Sequence, residues 1–276
     1  YSQGCQPLWA TPVIYHETAF GDSAWQSFYS VTLDPYDNIY TTGPAFGSWG
    51  PIQHQWGIWK YDSSKVLQPG FPIYYNYSPY LYYGDYSFDI ALDSQGNIIA
   101  VGYRGVSGCN YQSDPGCIYN DVDWHVRKYS PSGTLLWEDT YTNGSATNLY
   151  DYAYRVAVDS HDNVIVVGYT NKGTDNTTNA NYDWLIIKYA PEGIGSVGQR
   201  LWTKAYESAP GRSEAAQALA IDADDNIIIG GYMRDASGGV TGRLALLNKD
   251  TGDDIGERII TDPASVIPMR LAYRNG

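Results

Sequence analysis

The residue types that could do chemistry are few and scattered. The four histidines stand at His16, His54, His125 and His161, and none sits beside a Ser or Cys in a nucleophile motif. The acid that recurs is aspartate. Asp34, Asp93, Asp159 and Asp222 follow one another at offsets of 59, 66 and 63 residues, and each is followed four residues later by Asn38, Asn97, Asn163 or Asn226. A carboxylate heading so short a polar stretch accepts hydrogen bonds from its own backbone, so this recurrence reads as a set of turns. Asp123 and Asp183 each precede a Trp, where a structural role is the simpler reading. The Asn- and Asp-containing loop at 175–183 lacks the Asp-x-Asp-x-Asp-Gly pattern of a calcium loop. No phosphate-binding loop is present. The chain therefore implies no cofactor and no metal, and leans away from an enzyme.

The remaining reactive side chains are Cys5, Cys109 and Cys117. The last two bracket a short polar loop, and a disulfide between them would close it, worth roughly 2–3 kcal/mol in the entropic account. Cys5 is then left over: buried, reactive, or bonded to another chain. A zinc site is not expected, because no second Cys or His pair stands at ligand spacing. Asn76, Asn143 and Asn176 head Asn-x-Ser/Thr sequons, which matter only for a secreted chain. The chain opens at Tyr1 with no basic-then-apolar leader. That reads as a mature secreted chain or as a trimmed one.

These residues are positioned by a repeated unit. Its fullest copy runs Tyr154–Asp159, the turn Ser160–Asn163, Val164–Tyr169, a polar loop, Asp183–Tyr189, a second turn, and Leu201–Tyr206. Four short alternating or apolar segments between turn residues are strand signals. We label them a, b, c and d. Gly43, Gly102, Gly168 and Gly231, in the b segments, keep the spacing of the turns. They are expected to leave room for an aromatic ring of the next unit. The single domain, 1–276, then divides into repeats at about 22–76, 77–143, 146–207 and 211–262. A d-type segment at 8–13 precedes them and an a-type segment at 270–273 follows. In the last repeat, Glu214–Ile221 has helix-favouring composition but stands in strand register, so a strand is expected there. In the c segment, Trp184, Ile186 and Lys188 should face one way, and Leu185, Ile187 and Tyr189 the other.

A four-stranded sheet apolar on both faces must be sandwiched by its neighbours. The expected fold is all-β: a β-propeller of four complete four-stranded blades. Its surplus strands would close the ring or pair with a neighbouring molecule. The pattern Val-Ala-Val-Asp-Ser-x-Asp-Asn-Val-x-Val-x-Gly-Tyr-Thr, followed by Tyr-Asp-Trp-x-x-x-Lys-Tyr and Leu-Trp, resembles the extracellular bacterial and archaeal beta-propeller repeat family (SBBP type). The likeness covers repeats two and three closely, repeat one well and repeat four partly. It implies a secreted or surface-attached scaffold or binding module, and it brings no catalytic residues.

Alternating strand direction puts the a–b and c–d turns at one end of every blade and the long b–c and d–a loops at the other. The loop end carries Cys109, Cys117 and the three sequons. It also carries Trp49, Tyr74, Tyr75, Tyr77, Tyr80, Tyr82 and Tyr83, rings that could stack on sugars, pack against a partner, or simply form a Tyr-rich surface. A formal net charge of -13 argues against nucleic acid as partner, and no apolar run approaches the ~20 residues of a membrane helix. Expected partners are other protein subunits, copies of the chain among them, or surface glycans. The expected function is a non-enzymatic structural or interaction module, and the alternative is a carbohydrate-binding or carbohydrate-active propeller.

Overall fold

A computed structural model describes residues 27–46, 54–76, 84–105, 122–143, 150–172, 182–206, 213–234 and 239–260. It contains sixteen strands among the described residues, in four antiparallel sheets that follow the repeats. Blade 1 is β1 (Ser30–Leu33), β2 (Ile39–Phe46), β3 (His54–Tyr61) and β4 (Ile73–Tyr75). Blade 2 is β5 (Tyr86–Leu92), β6 (Ile98–Gly105), β7 (Val122–Tyr129) and β8 (Leu135–Tyr141). Blade 3 is β9 (Tyr152–Val158), β10 (Val164–Asn171), β11 (Tyr182–Tyr189) and β12 (Arg200–Tyr206). Blade 4 is β13 (Ala215–Ile221), β14 (Ile227–Arg234), β15 (Val240–Leu247) and β16 (Asp254–Ile260). Each blade pairs in sequence order, so the strands are a, b, c and d of one repeat. The Ala-rich segment of the last repeat is strand β13, so register and packing override its helix propensity.

The four a strands lie side by side in the order β1, β5, β9, β13, which places them along a common inner edge, as in a propeller. Among the described residues no sheet closes on itself. The terminal segments 8–13 and 270–273 lie outside the described residues. Alternation along β11 is as expected. Leu185, Ile187 and Tyr189 pack with Trp124, Val126 and Trp137 of blade 2. Trp184 and Ile186 pack with Ile227, Ile229 and Leu247 of blade 4. Both faces of blade 3 are therefore core, and burying such side chains supplies ~1.5–3 kcal/mol apiece before the entropy of ordering them.

The a–b turns carry the recurrent aspartates as the sequence suggests. Asp159 Oδ1 accepts the His161 and Asn163 N–H groups at 2.9 Å, and the Asn163 amide donates to Oδ2 at 2.9 Å. Asp34, Asp93 and Asp222 repeat this arrangement. The fourth turn residue has positive φ: Asp37 (62°), Gly96 (76°), Asp162 (62°) and Asp225 (66°). Gly and Asp are residues that tolerate this left-handed region.

The same aspartates also anchor the blades to one another. Lys128 Nζ lies 2.8 Å from Asp93 Oδ2 in its own blade and donates to Pro191 O of blade 3 at 2.8 Å. Lys188 repeats this with Asp159 at 2.8 Å and Lys249 O of blade 4 at 2.9 Å. Both ion pairs are buried. Burial pulls the Asp93 and Asp159 carboxyls up, but the lysine, the turn Asn and the backbone N–H groups together hold each below the usual carboxylate value.

Candidate functional site

The loop end of the blades is organised by the repeated glycine. A Cβ on Gly43, Gly102, Gly168 or Gly231 would lie only 1.7, 1.8, 1.8 or 2.1 Å from the carbonyl oxygen of Ser27, Tyr86, Tyr152 or Ala215, the first just before the facing a strand and the others on it. The backbones come this close where the a strand bulges: register shifts between Ser87 and Asp89, beside Gly168 on β10, and between Ala216 and Ala218. The expectation that the glycine makes room for a ring of the next unit is corrected here. Its first neighbour is the carbonyl of its own blade. The ring it does meet belongs to the preceding blade: Trp124 at 3.0 Å for Gly168, and Trp184 at 2.9 Å for Gly231.

The bulge re-aims side chains, as bulges beside binding sites do. In blades 2 and 3 the bulged residues are Phe88 and Tyr154. With Tyr86 and Tyr152 earlier on the same strands, and Tyr103 and Tyr169 just after the glycine, they form one continuous row of rings. Tyr86 stacks on Tyr103 at 5.2 Å, Phe88 lies 5.3 Å from Tyr154, and Tyr103 meets Tyr152 edge-on at 4.7 Å. Tyr169 lies 5.0 Å from Tyr152 and 4.7 Å from Tyr182. At the blade 1 side, Tyr29 stacks parallel to Phe88 at 6.0 Å. The row thus crosses the inner edge of three blades. It thins at blade 4, where Ala215 and Gln217 replace the a-strand rings and Tyr232 remains. Burial pushes the Tyr86 and Tyr182 hydroxyls up to about 12, and lifts Tyr103, Tyr154 and Tyr169 as well. These phenols stay neutral near pH 7 and serve as hydrogen-bonding rings, not as bases.

Carboxylates brace this row from behind. Asp85 Oδ1 accepts the Gly105 N–H at 2.9 Å. Asp151, at the equivalent place in blade 3, accepts the Asn171 and Asn143 N–H groups, both at 3.1 Å. Burial raises the Asp151 carboxyl to about 7. Asp89 accepts from the Ser30 hydroxyl of blade 1 and from the Val156 N–H of blade 3 at 3.1 Å, tying three a strands together. Asp123 pairs with Arg104 at 3.3 Å and Asp183 with Lys172 at 2.8 Å. These acids fix the ends of strands, the structural use expected for Asp123 and Asp183.

Of the aromatic residues singled out from sequence, Tyr74 and Tyr75 are described; Tyr74 meets Trp59 of its own blade edge-on at 6.2 Å, and Tyr75 faces the next blade. It is half-buried between blades 1 and 2, stacked on His125 at 5.0 Å, with the Arg127 guanidinium 3.8 Å from its ring centre. His125 is deeply buried, and burial lowers its pKa, so its ring is neutral. Its Nδ1 lies 2.9 Å from Thr140 Oγ1. Asn76 is exposed at the end of β4. The Asn143 side-chain amide donates to Asn171 O at 2.7 Å. Trp49, Tyr77, Tyr80, Tyr82, Tyr83, Cys5, Cys109, Cys117 and Asn176 lie outside the described residues. The row from Tyr29 to Tyr182 was not singled out from sequence. Its signal was the Gly-Tyr dipeptide at 102–103, 168–169 and 231–232. Among the described residues no group of three or more His, Cys, Asp or Glu is placed to hold a metal ion, and no helix is long and apolar enough to cross a membrane.

No protein-family model matches this chain. Among curated proteins, an uncharacterized WD repeat-containing protein, L264, of Acanthamoeba polyphaga mimivirus is 30% identical over 119 residues, which is 37% of this chain and 8% of that protein. Among solved structures, the extracellular domain of the putative one component system BT4673 from B. thetaiotaomicron aligns at a TM-score of 0.34 and 14% identity, covering 82% of this chain and 26% of that one. Drosophila Plexin A in complex with Semaphorin 1b aligns at 0.29 and 9%, covering 84% of this chain and 65% of that one. The chain spans less than two thirds of the length of each of these proteins. The fold assignment rests on the four sheets themselves.

Proposed function

We propose that the protein is a secreted or cell-surface β-propeller that works as a non-enzymatic interaction module, in keeping with the extracellular propeller-repeat resemblance. It binds through the loop end of its blades, and its partners are other protein subunits, copies of this chain among them. The observation that carries this reading is the half-buried row of rings along the inner edge of three blades. Tyr and Phe supply large contact area with little side-chain entropy to lose, which is why aromatic rings concentrate at interfaces. The acids nearby are committed to backbone N–H groups and ion pairs, which favours recognition over catalysis.

A surface glycan is the second reading. It is favoured by the parallel Tyr29–Phe88 pair, whose Tyr29 ring remains 43% exposed and could lie against a sugar face. Sedimentation across a wide concentration range and a glycan array, each run on wild type and on Tyr29→Ala/Tyr154→Ala, test both readings. Self-association or glycan binding that weakens at least tenfold in the variant supports the site. A wild type that stays monomeric and binds no glycan, or a variant that binds as well as wild type, overturns it.

A further inference from the structure

The outer edges of the four blades are finished in different ways. β4 is three residues long and follows Pro72. β12 carries Arg200 and Lys204, and β16 is interrupted by Gly256. Shortness, proline, glycine and basic side chains each make an edge a poor template for another strand. β8 has seven residues and none of these devices. Leu135 and Leu136 at its start are exposed. Its two acids are paired, Asp139 with Arg200 at 2.7 Å and Glu138 with Arg127 at 3.1 Å.

The edge of β8 is instead met by blade 3. The c–d turn of blade 3 has ten residues between Tyr189 and Arg200, where blade 2 has five between Tyr129 and Leu135. The extra residues fold back over β8. Ser196 O accepts the Glu138 N–H at 3.0 Å, and the Gly198 N–H donates to Glu138 O at 3.0 Å. Val197 thereby pairs in parallel with Glu138. Just beyond it, Arg200 Nη2 donates to Thr140 O at 2.7 Å. Blade 3 thus satisfies three backbone groups along the outer edge of blade 2. The composition of the turn fits this seat. A Cβ on Gly193 or Gly198 would lie 2.8 Å from the Trp137 side chain, and Gly195 has a φ of 64°. Ile194 and Val197 are 70% and 55% exposed, so burial does not account for them. β-Branched residues favour extended backbone, and these two pair with each other through N–H···O bonds of 2.8 and 3.3 Å.

We infer that residues 192–199 are an edge guard: they sit on β8 as a short added strand and keep a second copy of this chain from pairing there. An unguarded β8 can pair antiparallel with its own counterpart about a two-fold axis, which needs no other protein. The exposed Leu135 and Leu136 would add apolar contact to that pairing. This inference is independent of the binding reading above, because the ring row lies on the inner edge of the blades and β8 on the outer.

Two variants of the full chain test it by sedimentation velocity over a wide concentration range. In the first, residues 190–199 are replaced by the blade 2 turn, Ser-Pro-Ser-Gly-Thr, which keeps a proline where Pro191 O accepts from Lys128. In the second, Gly198→Val presses on Trp137 and lifts the guard without shortening the chain. Both should form larger species than the wild type at the same concentration. Adding Leu136→Lys, a charge on the exposed edge, should reverse this. In Gly198→Val/Leu136→Lys neither guard nor second copy covers β8, so amide exchange at Glu138 should be at least tenfold faster than in the wild type. Variants that associate no more than the wild type, association that Leu136→Lys leaves unchanged, or Glu138 exchange as slow as in the wild type each overturn the inference. Should the shortened chain not fold, the Gly198→Val results decide alone.

Discussion

Lys188 and Tyr169 belong to the same blade, one near its turn end and one near its loop end, and both meet their neighbours through very different physics. At the turn end a buried ammonium is shared between its own blade's Asp159 and a carbonyl of the next blade. Geometry there is tight and directional, with two acceptors from two blades within 2.9 Å of one lysine head. At the loop end a bulge turns rings toward one another, and the bonding is broad, apolar and tolerant of small shifts. The contrast separates two tasks. Charge at the turn end fixes how blades sit together, while the ring row offers area without a rigid register.

Breaking the turn end should cost most. Lys188→Met strands the Asp159 carboxylate in a buried site, and removing one partner of a buried pair destabilises by about 3–5 kcal/mol. Urea unfolding should show this loss, while near-ultraviolet dichroism of the tyrosine row stays native. Lys60→Met is the control. Lys60 donates to Pro131 O and among the described residues makes no ion pair like those of Lys128 and Lys188, so its loss should be much smaller.

The two ends also titrate in opposite senses. Asp151, behind the ring row, has a folded value of about 7, against ~3.9 unfolded. The native state therefore holds that proton more tightly, and stability falls as pH rises from about 4 to about 7, by up to a few kcal/mol. Asp93 and Asp159 are held below their ordinary value. Their contribution is present above about pH 4 and is lost as pH falls below that. Asp151→Asn should flatten the limb between pH 4 and 7 and leave the acid limb unchanged, measured by denaturant midpoints across pH.

At the bulge, Gly168→Ala puts a Cβ 1.8 Å from Tyr152 O, so backbone must move. Overpacking of this kind costs roughly 1–3 kcal/mol. Here the loss should come with a changed near-ultraviolet tyrosine signal, the reverse of the Lys188→Met pattern.

The repeat, the strands and the turn aspartates were legible in the sequence because each follows from local spacing and backbone chemistry. Even β13 was, since register outweighed its alanines. The lysine anchors were not. Lys128 and Lys188 read as polar alternates in a strand, and what makes them anchors is the carbonyl of a turn some 60 residues away. The glycine recurs visibly, but the carbonyl it faces does not show in the sequence, because a strand bulge leaves no trace in alternation. The ring row is hidden for the same reason: Phe88 and Tyr154 reach it only through the bulge.

The smallest effect is the most discriminating. The Ser160 N–H and hydroxyl donate to the two carboxylate oxygens of Asp225 in the next blade's turn, at 3.0 and 2.5 Å. Ser94 does the same to Asp162. At the first junction the equivalent residues are Pro35 and Gly96, so one side has no donor and the other no carboxylate. Both partners are absent together. Ser160→Ala removes the hydroxyl and keeps the N–H, so it should cost about 1 kcal/mol. Pro35→Ser alone should gain nothing from this pair, because Gly96 offers no acceptor. Gly96→Asp alone should be nearly neutral, because Asp already occupies that left-handed position in blades 1, 3 and 4. Combined, the two changes should stabilise by about 1 kcal/mol more than their sum. A double-mutant cycle in urea reads this directly, and strict additivity would show that the turns are not linked blade to blade at that end.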